Sequence, residues 1–343
     1  MRAESRTGGP DRPSWVDAVL GAIDRVPFGP WAFYGLYALV ALAYLHLQAW
    51  LAGTAPIGTF DPIQIPHAFY IVYPLGLIHY LHRAAADAWR DYRPALDIDD
   101  DAAARLEFEL IHVPGRPALL IAALAAGVVA SSAADPVSGI AGTSGVVLAL
   151  QVVALWVAVT TVLMLVYDVV RMLRFVSRAL GLAPEVNLFK PEPLYALSRL
   201  TLRAAVGLIA IPTFQLLAVP VEININASSI AWLTMLVVAG AAAFVLPLRG
   251  IHHRIVAEKR VLEAAAGVRI QATIARLHAA ADANDTTVDD TLNKRLGSLI
   301  QERELLARLP SWPWQAGTGR AFASAILLPI GIWLLTRLLG RIV

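Results

Sequence analysis

Three histidines, His46, His79 and His82, carry the most distinctive chemistry in this sequence, because imidazole is a common ligand of metals and of haem iron. A bis-histidine haem needs two imidazoles that face each other at matched depth. The segments that carry these residues are predicted below to cross a membrane, with His46 toward the outer face and the other two toward the inner face. We therefore favour histidines that hydrogen-bond between helices, and we predict neither a metal site nor a cofactor.

Three further polar residues fall within predicted spans, where such side chains are costly and are often functional. Asp168 could serve as a proton or cation relay, or it could form an ion pair with Arg171 or Arg203, and the ion pair is favoured. Gln151 and Gln215 either tie helices together or face a cavity, and the sequence leaves both readings open.

Four aromatic residues near the outer half of the predicted bundle could line an apolar ligand pocket between helices. They are Tyr70, Tyr73, Trp156 and Trp232. Pockets for small molecules are mainly apolar and aromatic, with few polar groups. An aromatic belt or ordinary core packing explains the same residues. The sequence therefore gives a candidate pocket for a small organic ligand and does not decide between these readings.

The composition indicates a membrane protein. Hydrophobic residues make up 57% of the 343 positions and charged residues 16%, whereas soluble domains have roughly 25% charged residues. The absence of cysteine excludes disulfides and thiolate chemistry. No phosphate-binding loop, dinucleotide fingerprint, zinc-protease motif or nucleophile elbow is present, so we do not expect an enzyme. No basic stripe with interleaved aromatics indicates nucleic-acid binding.

The apolar residues are gathered into stretches long enough to cross a bilayer, which takes about 20 residues of helix. We predict an all-α polytopic membrane protein with seven spans. The last has few uncharged residues before Arg337, so it must tilt or let that side chain snorkel. The spans are 31–51, 65–82, 117–134, 145–173, 201–219, 228–248 and 321–339.

Basic residues fix the predicted orientation, because segments rich in Arg and Lys stay in the cytoplasm. They crowd the N-terminal tail and every second connection, while the alternate loops 52–64, 135–144 and 220–227 have none. We therefore place the N-terminus inside and the C-terminus outside, in a multi-pass protein of the cell membrane. The predicted regions are a cytoplasmic tail (1–30), a six-helix bundle (31–248) with cytoplasmic loops 83–116 and 174–200, a cytoplasmic helical hairpin (249–318) and the seventh span (319–343).

The connection between the last two spans has the pattern of two amphipathic helices. The first arm continues the sixth span to Asp282, and the second runs over 288–309. Each arm carries apolar residues at helical spacing, and these must be buried somewhere. They either pack only on each other or also join copies of the chain. The candidate joining residues are Leu262, Ile270, Leu277, Leu292, Leu296 and Leu299.

This layout resembles the seven-transmembrane ion channel superfamily that includes insect odorant and gustatory receptors, with the alanine- and arginine-rich composition of a prokaryotic member. The resemblance lies in the topology and covers the whole chain. It implies a homotetramer joined by a cytoplasmic anchor, here 249–282 and 288–309, and an outer-half pocket for small ligands. It also implies a central cation pore lined by the last helix, for which the helically spaced candidates are Ala325, Leu328, Ile332 and Thr336.

One motif of the insect proteins is missing, since Gly331-Ile332-Trp333-Leu334-Leu335-Thr336 stands where they carry a tyrosine and a glutamine-phenylalanine pair. The resemblance as a whole implies a homo-oligomeric cation channel, ligand-gated or constitutive. The alternatives are a small-molecule transporter, which would favour inverted repeats that we do not find, and a membrane sensor or scaffold that signals through the hairpin.

Overall fold

The computed structural model describes residues 14–134, 145–182, 188–189, 191–219, 227–282, 286–315 and 317–339, and these residues form helices and no strand. The all-α fold is therefore confirmed. The helices are α1 (Trp15–Asp24), α2 (Gly29–Leu51), α3 (Gln64–Tyr92), α4 (Asp100–Ile111), α5 (Gly115–Ala134), α6 (Gly145–Leu182), α7 (Glu192–Ala218), α8 (Ala227–Val245), α9 (Arg249–Asp282), α10 (Thr286–Arg308) and α11 (Thr318–Leu339).

Six helical segments are long and apolar enough to cross a membrane, so the chain is a multi-pass membrane protein. They lie in α2, α5, α6, α7, the continuous run Ser229–Asp282 through α8 and α9, and Thr318–Leu335 of α11. The predicted seventh span within α11 qualifies, whereas the predicted second span, 65–82, lies in α3 and is not among the six. Seven spans and the orientation therefore stay predictions.

Helix α3 lies at the centre of the bundle, where it packs against α2, α6, α7 and α4. Most of its length is buried, including Ile78, Leu81, Trp89 and Tyr92. A helix that is surrounded by other helices needs no lipid-compatible surface around its whole circumference. Two of its three histidines are buried, so these two lower the hydropathy of α3 without lying on its exposed surface.

Two predicted cytoplasmic extensions are present. Helix α6 is unbroken over 38 residues, and α8 passes through a short 3₁₀ turn at Leu246–Leu248 into α9. Helices α9 and α10 form the hairpin and pack closely on each other. Arg254 donates a hydrogen bond of 3.2 Å to the carbonyl oxygen of Leu180, so the base of the hairpin also contacts the α6 extension.

The predicted N-terminal tail includes a helix. Ser14 caps α1 through a capping box with Asp17, in which each side chain satisfies a backbone N–H of the other residue. The indole of Trp15 donates to the carbonyl oxygen of Ala118, 3.1 Å away. Helix α1 is thereby fixed against the start of α5, and it places Asp24 beside α3.

Candidate functional site

The structure contains a cavity of about 760 Å³ between α2, α3, α6 and α8. We call it the outer cavity, because it lies at the end of α2 and the start of α3, which are both predicted to be outside. Tyr70 and Trp232, two of the predicted pocket aromatics, line it together with Gln151. The volume is that of a site for a small organic molecule.

A few polar groups interrupt the apolar wall of the outer cavity. They belong to Gln48, Thr54, Gln64 and His67 in addition to Gln151. The side-chain oxygen of Gln48 is buried and has no hydrogen-bond partner among the described residues. Buried acceptors are nearly always satisfied, so Gln48 is a polar group of the cavity wall whose hydrogen-bonding capacity the described residues leave unused. Sequence reasoning missed Gln48, because nothing in the local pattern shows which way its side chain points.

The remaining two pocket aromatics lie elsewhere. Tyr73 lines a second cavity and donates its hydroxyl to the carbonyl oxygen of Gly207 at 2.8 Å. Trp156 is partly exposed and donates its indole N–H to the carbonyl oxygen of Ala122 at 3.2 Å. The structure therefore does not bring Tyr73 and Trp156 together with Tyr70 and Trp232.

The second cavity is a groove of about 750 Å³ between α2, α3 and α7. We call it the lipid-side groove. Its walls are apolar along most of their length, and Arg203 is its one charged lining residue among those the structure describes. The guanidinium of Arg203 lies over the ring of Tyr80, 5.9 Å from its centroid. Arg203 is thus not a partner of Asp168, which corrects one of the two pairings considered for that carboxylate.

The carboxylate of Asp168 is fully buried and lies at the centre of an ionic cluster. His82 Nε2 is 2.8 Å from Oδ2, and Arg171 approaches Oδ1 with Nη2 at 2.7 Å and Nε at 3.1 Å. Arg171 also donates to the carbonyl oxygen of Leu110 at 3.0 Å. The cluster joins α3, α6 and the end of α4. The ion pair of Asp168 with Arg171 was predicted. The contact with His82 was not, because His82 lies far from Asp168 in the sequence.

A second polar cluster links α1, α2 and α3. His79 Nε2 lies 3.1 Å from Asp24 Oδ1, His79 Nδ1 lies 3.1 Å from the Tyr34 hydroxyl, and Arg83 pairs with Asp24. Burial acts to raise the pKa of Asp24, but hydrogen bonds and charge from Arg83 and His79 outweigh it, so this pKa lies below its usual value. His79 therefore ties helices together, as the sequence favoured.

Both ring nitrogens of His46 are occupied. Nε2 accepts a hydrogen bond from the backbone N–H of Asp61 at 3.0 Å, and Nδ1 lies 2.8 Å from the carbonyl oxygen of Leu42. Because a backbone N–H can only donate and a carbonyl can only accept, His46 is the neutral tautomer with its proton on Nδ1. It fixes the loop after α2 to the bundle.

Gln215 accepts a hydrogen bond of 3.2 Å from the Tyr70 hydroxyl, which links α7 to α3. Gln151 lines the outer cavity. Of the two readings left open for these glutamines, a tie between helices fits Gln215 and a cavity position fits Gln151. Within the part of the chain that the structure describes, no group of three or more His, Asp or Glu side chains could hold a metal ion.

The predicted joining residues lie within the hairpin itself. Leu299 is buried, and the other five are partly buried. Of the predicted pore residues, Ala325 and Ile332 are partly buried and Leu328 is 54% exposed, while the side chain of Thr336 lies outside the described residues. The structure describes one copy of the chain, so these pore assignments stay predictions.

Comparison of the chain with protein-family models, with curated proteins and with solved structures found no match. The resemblance to the insect receptor channels therefore rests on the predicted topology of the spans and the hairpin.

Proposed function

We propose that the chain is the subunit of a homo-oligomeric cation channel of the cell's plasma membrane, a tetramer gated by a small organic molecule in the outer cavity. Seven spans, with the N-terminus inside and the C-terminus outside, belong to this proposal. It keeps the architecture that the resemblance implies, in which a cytoplasmic base joins the copies and the last helix lines the pore.

A stripe of exposed small apolar residues on α9 carries the proposal. Val261 is 62% exposed and Val268 is 66% exposed. With exposed alanines at helical spacing they form one face, which we call the α9 stripe: Ala257, Val261, Ala264, Val268, Ala272, Ala275 and Ala279. The steps of three and four residues are those of a coiled-coil seam. This face is distinct from the one that packs on α10.

The α9 stripe supports contact between copies because it lies on a helix that the charge pattern places in water. It covers about 33 Å of helix at a rise of about 1.5 Å per residue. Small apolar side chains let two helix backbones approach closely, and an extended apolar face in water indicates an interaction surface. A second copy of the same stripe matches it in polarity, since both faces are apolar.

Helix α11 supports the second part of the proposal. Only 6% of its apolar window is buried, and it packs against α7 at the edge of the bundle. Its uncovered side chains include Leu327, Leu334 and Leu338. A helix at the edge of each subunit is in the position from which neighbouring copies can surround a common axis.

The outer cavity connects to the proposed base through one helical run. Trp232 of α8 lines the cavity, and the run Ser229–Asp282 continues from it to the end of the hairpin. A ligand that moves α8 against α3 and α6 therefore also displaces α9. In the proposal this displacement couples ligand binding to the arrangement of the copies.

The proposal is tested by cation flux into liposomes that contain the full-length protein, together with the mass of the particle in detergent. Val268→Glu places charge in the α9 stripe, and Gln271→Glu adds the same charge at an exposed position outside it. We expect an oligomer with at least basal cation flux from the native chain and from Gln271→Glu, and a monomer without flux from Val268→Glu. A monomeric native chain without flux would refute the proposal.

A sensor or scaffold is the second candidate, because the α9 stripe is also suited to a helix of another protein. In that case the native chain is monomeric and passes no cations. Deleting 262–306 would then leave the membrane bundle folded and abolish capture of the partner, which distinguishes this function from a channel.

A further inference from the structure

The lipid-side groove follows the helix axes and has α3 as its floor, with α2 and α7 as its walls. Leu42, Val72, Val206 and Phe214 are among its apolar lining residues. Its tyrosine hydroxyls do not make it polar, since Tyr73 donates to a backbone carbonyl and Tyr34 lies within reach of Leu75 O and His79. The groove therefore suits a long apolar chain.

One end of the groove differs from the rest. Trp31 at the start of α2, Tyr80 just past the middle of α3 and Arg203 near the middle of α7 line this end. Trp31 is 73% exposed, and Arg203 is exposed. No carboxylate among the described residues pairs with Arg203, whose recorded contact is with the Tyr80 ring. A cation beside aromatic rings at the end of an apolar groove has the chemistry of a lipid headgroup site.

The groove is at least as long as one leaflet of a bilayer is thick, since its lining on α3 extends from Ile65 to Tyr80, about 23 Å of helix. The α7 residues that line it extend from Leu202 to Phe214, which is about 18 Å of helix. Half of the hydrocarbon core is about 15 Å thick. Positive charge along the chain places the Arg203 end in the cytoplasmic leaflet, where anionic lipids give a negative surface potential.

We propose that the lipid-side groove binds an anionic phospholipid of the cytoplasmic leaflet. One acyl chain lies along the apolar walls, and the phosphate is held by the guanidinium of Arg203, with Trp31 and Tyr80 at headgroup level. This site is separate from the outer cavity. It rests on the orientation given in the proposed function, and it does not require that the chain conducts cations. A helix of a second copy is a poorer occupant, because covering the groove would bury Arg203 without a counter-charge.

Native mass spectrometry of the full-length protein tests this site, with phosphatidylglycerol as the anionic probe and phosphatidylcholine as the neutral one. Arg203→Ala removes the proposed headgroup contact. Arg174→Ala is the matched control, since Arg174 is an exposed arginine of α6 near the same end of the bundle and outside the groove. We expect Arg203→Ala to weaken phosphatidylglycerol binding about fivefold, from about 1 kcal/mol per basic residue. Arg174→Ala should leave it unchanged.

A second pair of variants tests the apolar part of the groove. Val206→Trp fills the groove, whereas Leu217→Trp places the same side chain on α7 at an exposed position outside it. We expect phosphatidylglycerol to be lost from Val206→Trp and retained by Leu217→Trp. Equal loss in Arg203→Ala and Arg174→Ala, or equal binding of the anionic and neutral lipids by the native chain, would overturn the proposal. Because the arginine variants change only exposed side chains, they decide the question even if Val206→Trp does not fold.

Discussion

Replacing Asp168 by alanine removes the carboxylate at the centre of the buried ionic cluster. The side chain of Asp168 is 0% exposed and that of Arg171 is 13% exposed, and they approach to 2.7 Å. Without Asp168, the guanidinium of Arg171 stays largely buried with no counter-charge, and His82 loses its partner at 2.8 Å. Removing one member of a buried ion pair costs about 3–5 kcal/mol. We expect Asp168→Ala to destabilise the protein by about that amount.

The matched control is Asp91→Ala, which removes a carboxylate that pairs with Arg199 at 3.1 Å on an exposed surface. Exposed pairs contribute about 1 kcal/mol or less. In thermal unfolding of the detergent-solubilised protein, we expect Asp168→Ala to lower the Tm by about 4–7 °C and Asp91→Ala to lower it by much less. If the two variants unfold at the same temperature, the cluster does not stabilise the bundle and our reasoning about it is wrong.

Two further predictions concern helix packing and pH. A methyl group added at Gly240 would lie 2.6 Å from Ile209 Cγ1, whereas one added at Gly127 meets nothing within 4 Å. In thermal unfolding, Gly240→Ala should therefore lower the Tm and Gly127→Ala should leave it unchanged. The pKa of Asp24 is lowered in the folded protein, so its contribution to stability is present above about pH 4 and is lost as the pH falls through the folded pKa. Asp24→Asn should remove this acid-dependent component from a pH series of Tm values, and an unchanged profile would contradict the assignment.

The sequence predicted the helices well because their apolar blocks, polar connections and long unbroken runs are local features. The all-α fold, the α6 extension and the hairpin follow from them. The second span was predicted as firmly as the others, but α3 is not among the six apolar helices. Its neighbours bury most of it, so it can carry buried histidines that a lipid-facing helix could not. Hydropathy reports on one segment, whereas burial depends on what surrounds it.

The candidate site was predicted only in part, for a related reason. A helix that is apolar on all sides gives no periodic signal for its rotation, so the sequence could not show that Tyr70 and Tyr73 face different cavities. The pairing of Asp168 with Arg171 was accessible, because residues three apart share a helix face. The contribution of His82 depends on how α3 packs against α6, and no local pattern encodes that contact.

In the hairpin, too, the sequence predicted one packing face of a helix and did not predict the other. Sequence periodicity identified the apolar face of α9 that packs on α10, with Leu262 and Ile270 among its residues. It did not identify the α9 stripe, because alanines on a second face are ordinary helix formers until the structure shows that none of the described residues covers them. The exposed stripe therefore became visible only when the packing of the first face was known.

An image of single particles of the full-length chain in lipid nanodiscs tests the central claim most directly. We predict a fourfold particle in which the α9 stripes of neighbouring copies meet below the membrane and the α11 helices surround the axis. A particle that holds one copy, with the α9 stripe open to solvent and α11 facing lipid, would contradict the account.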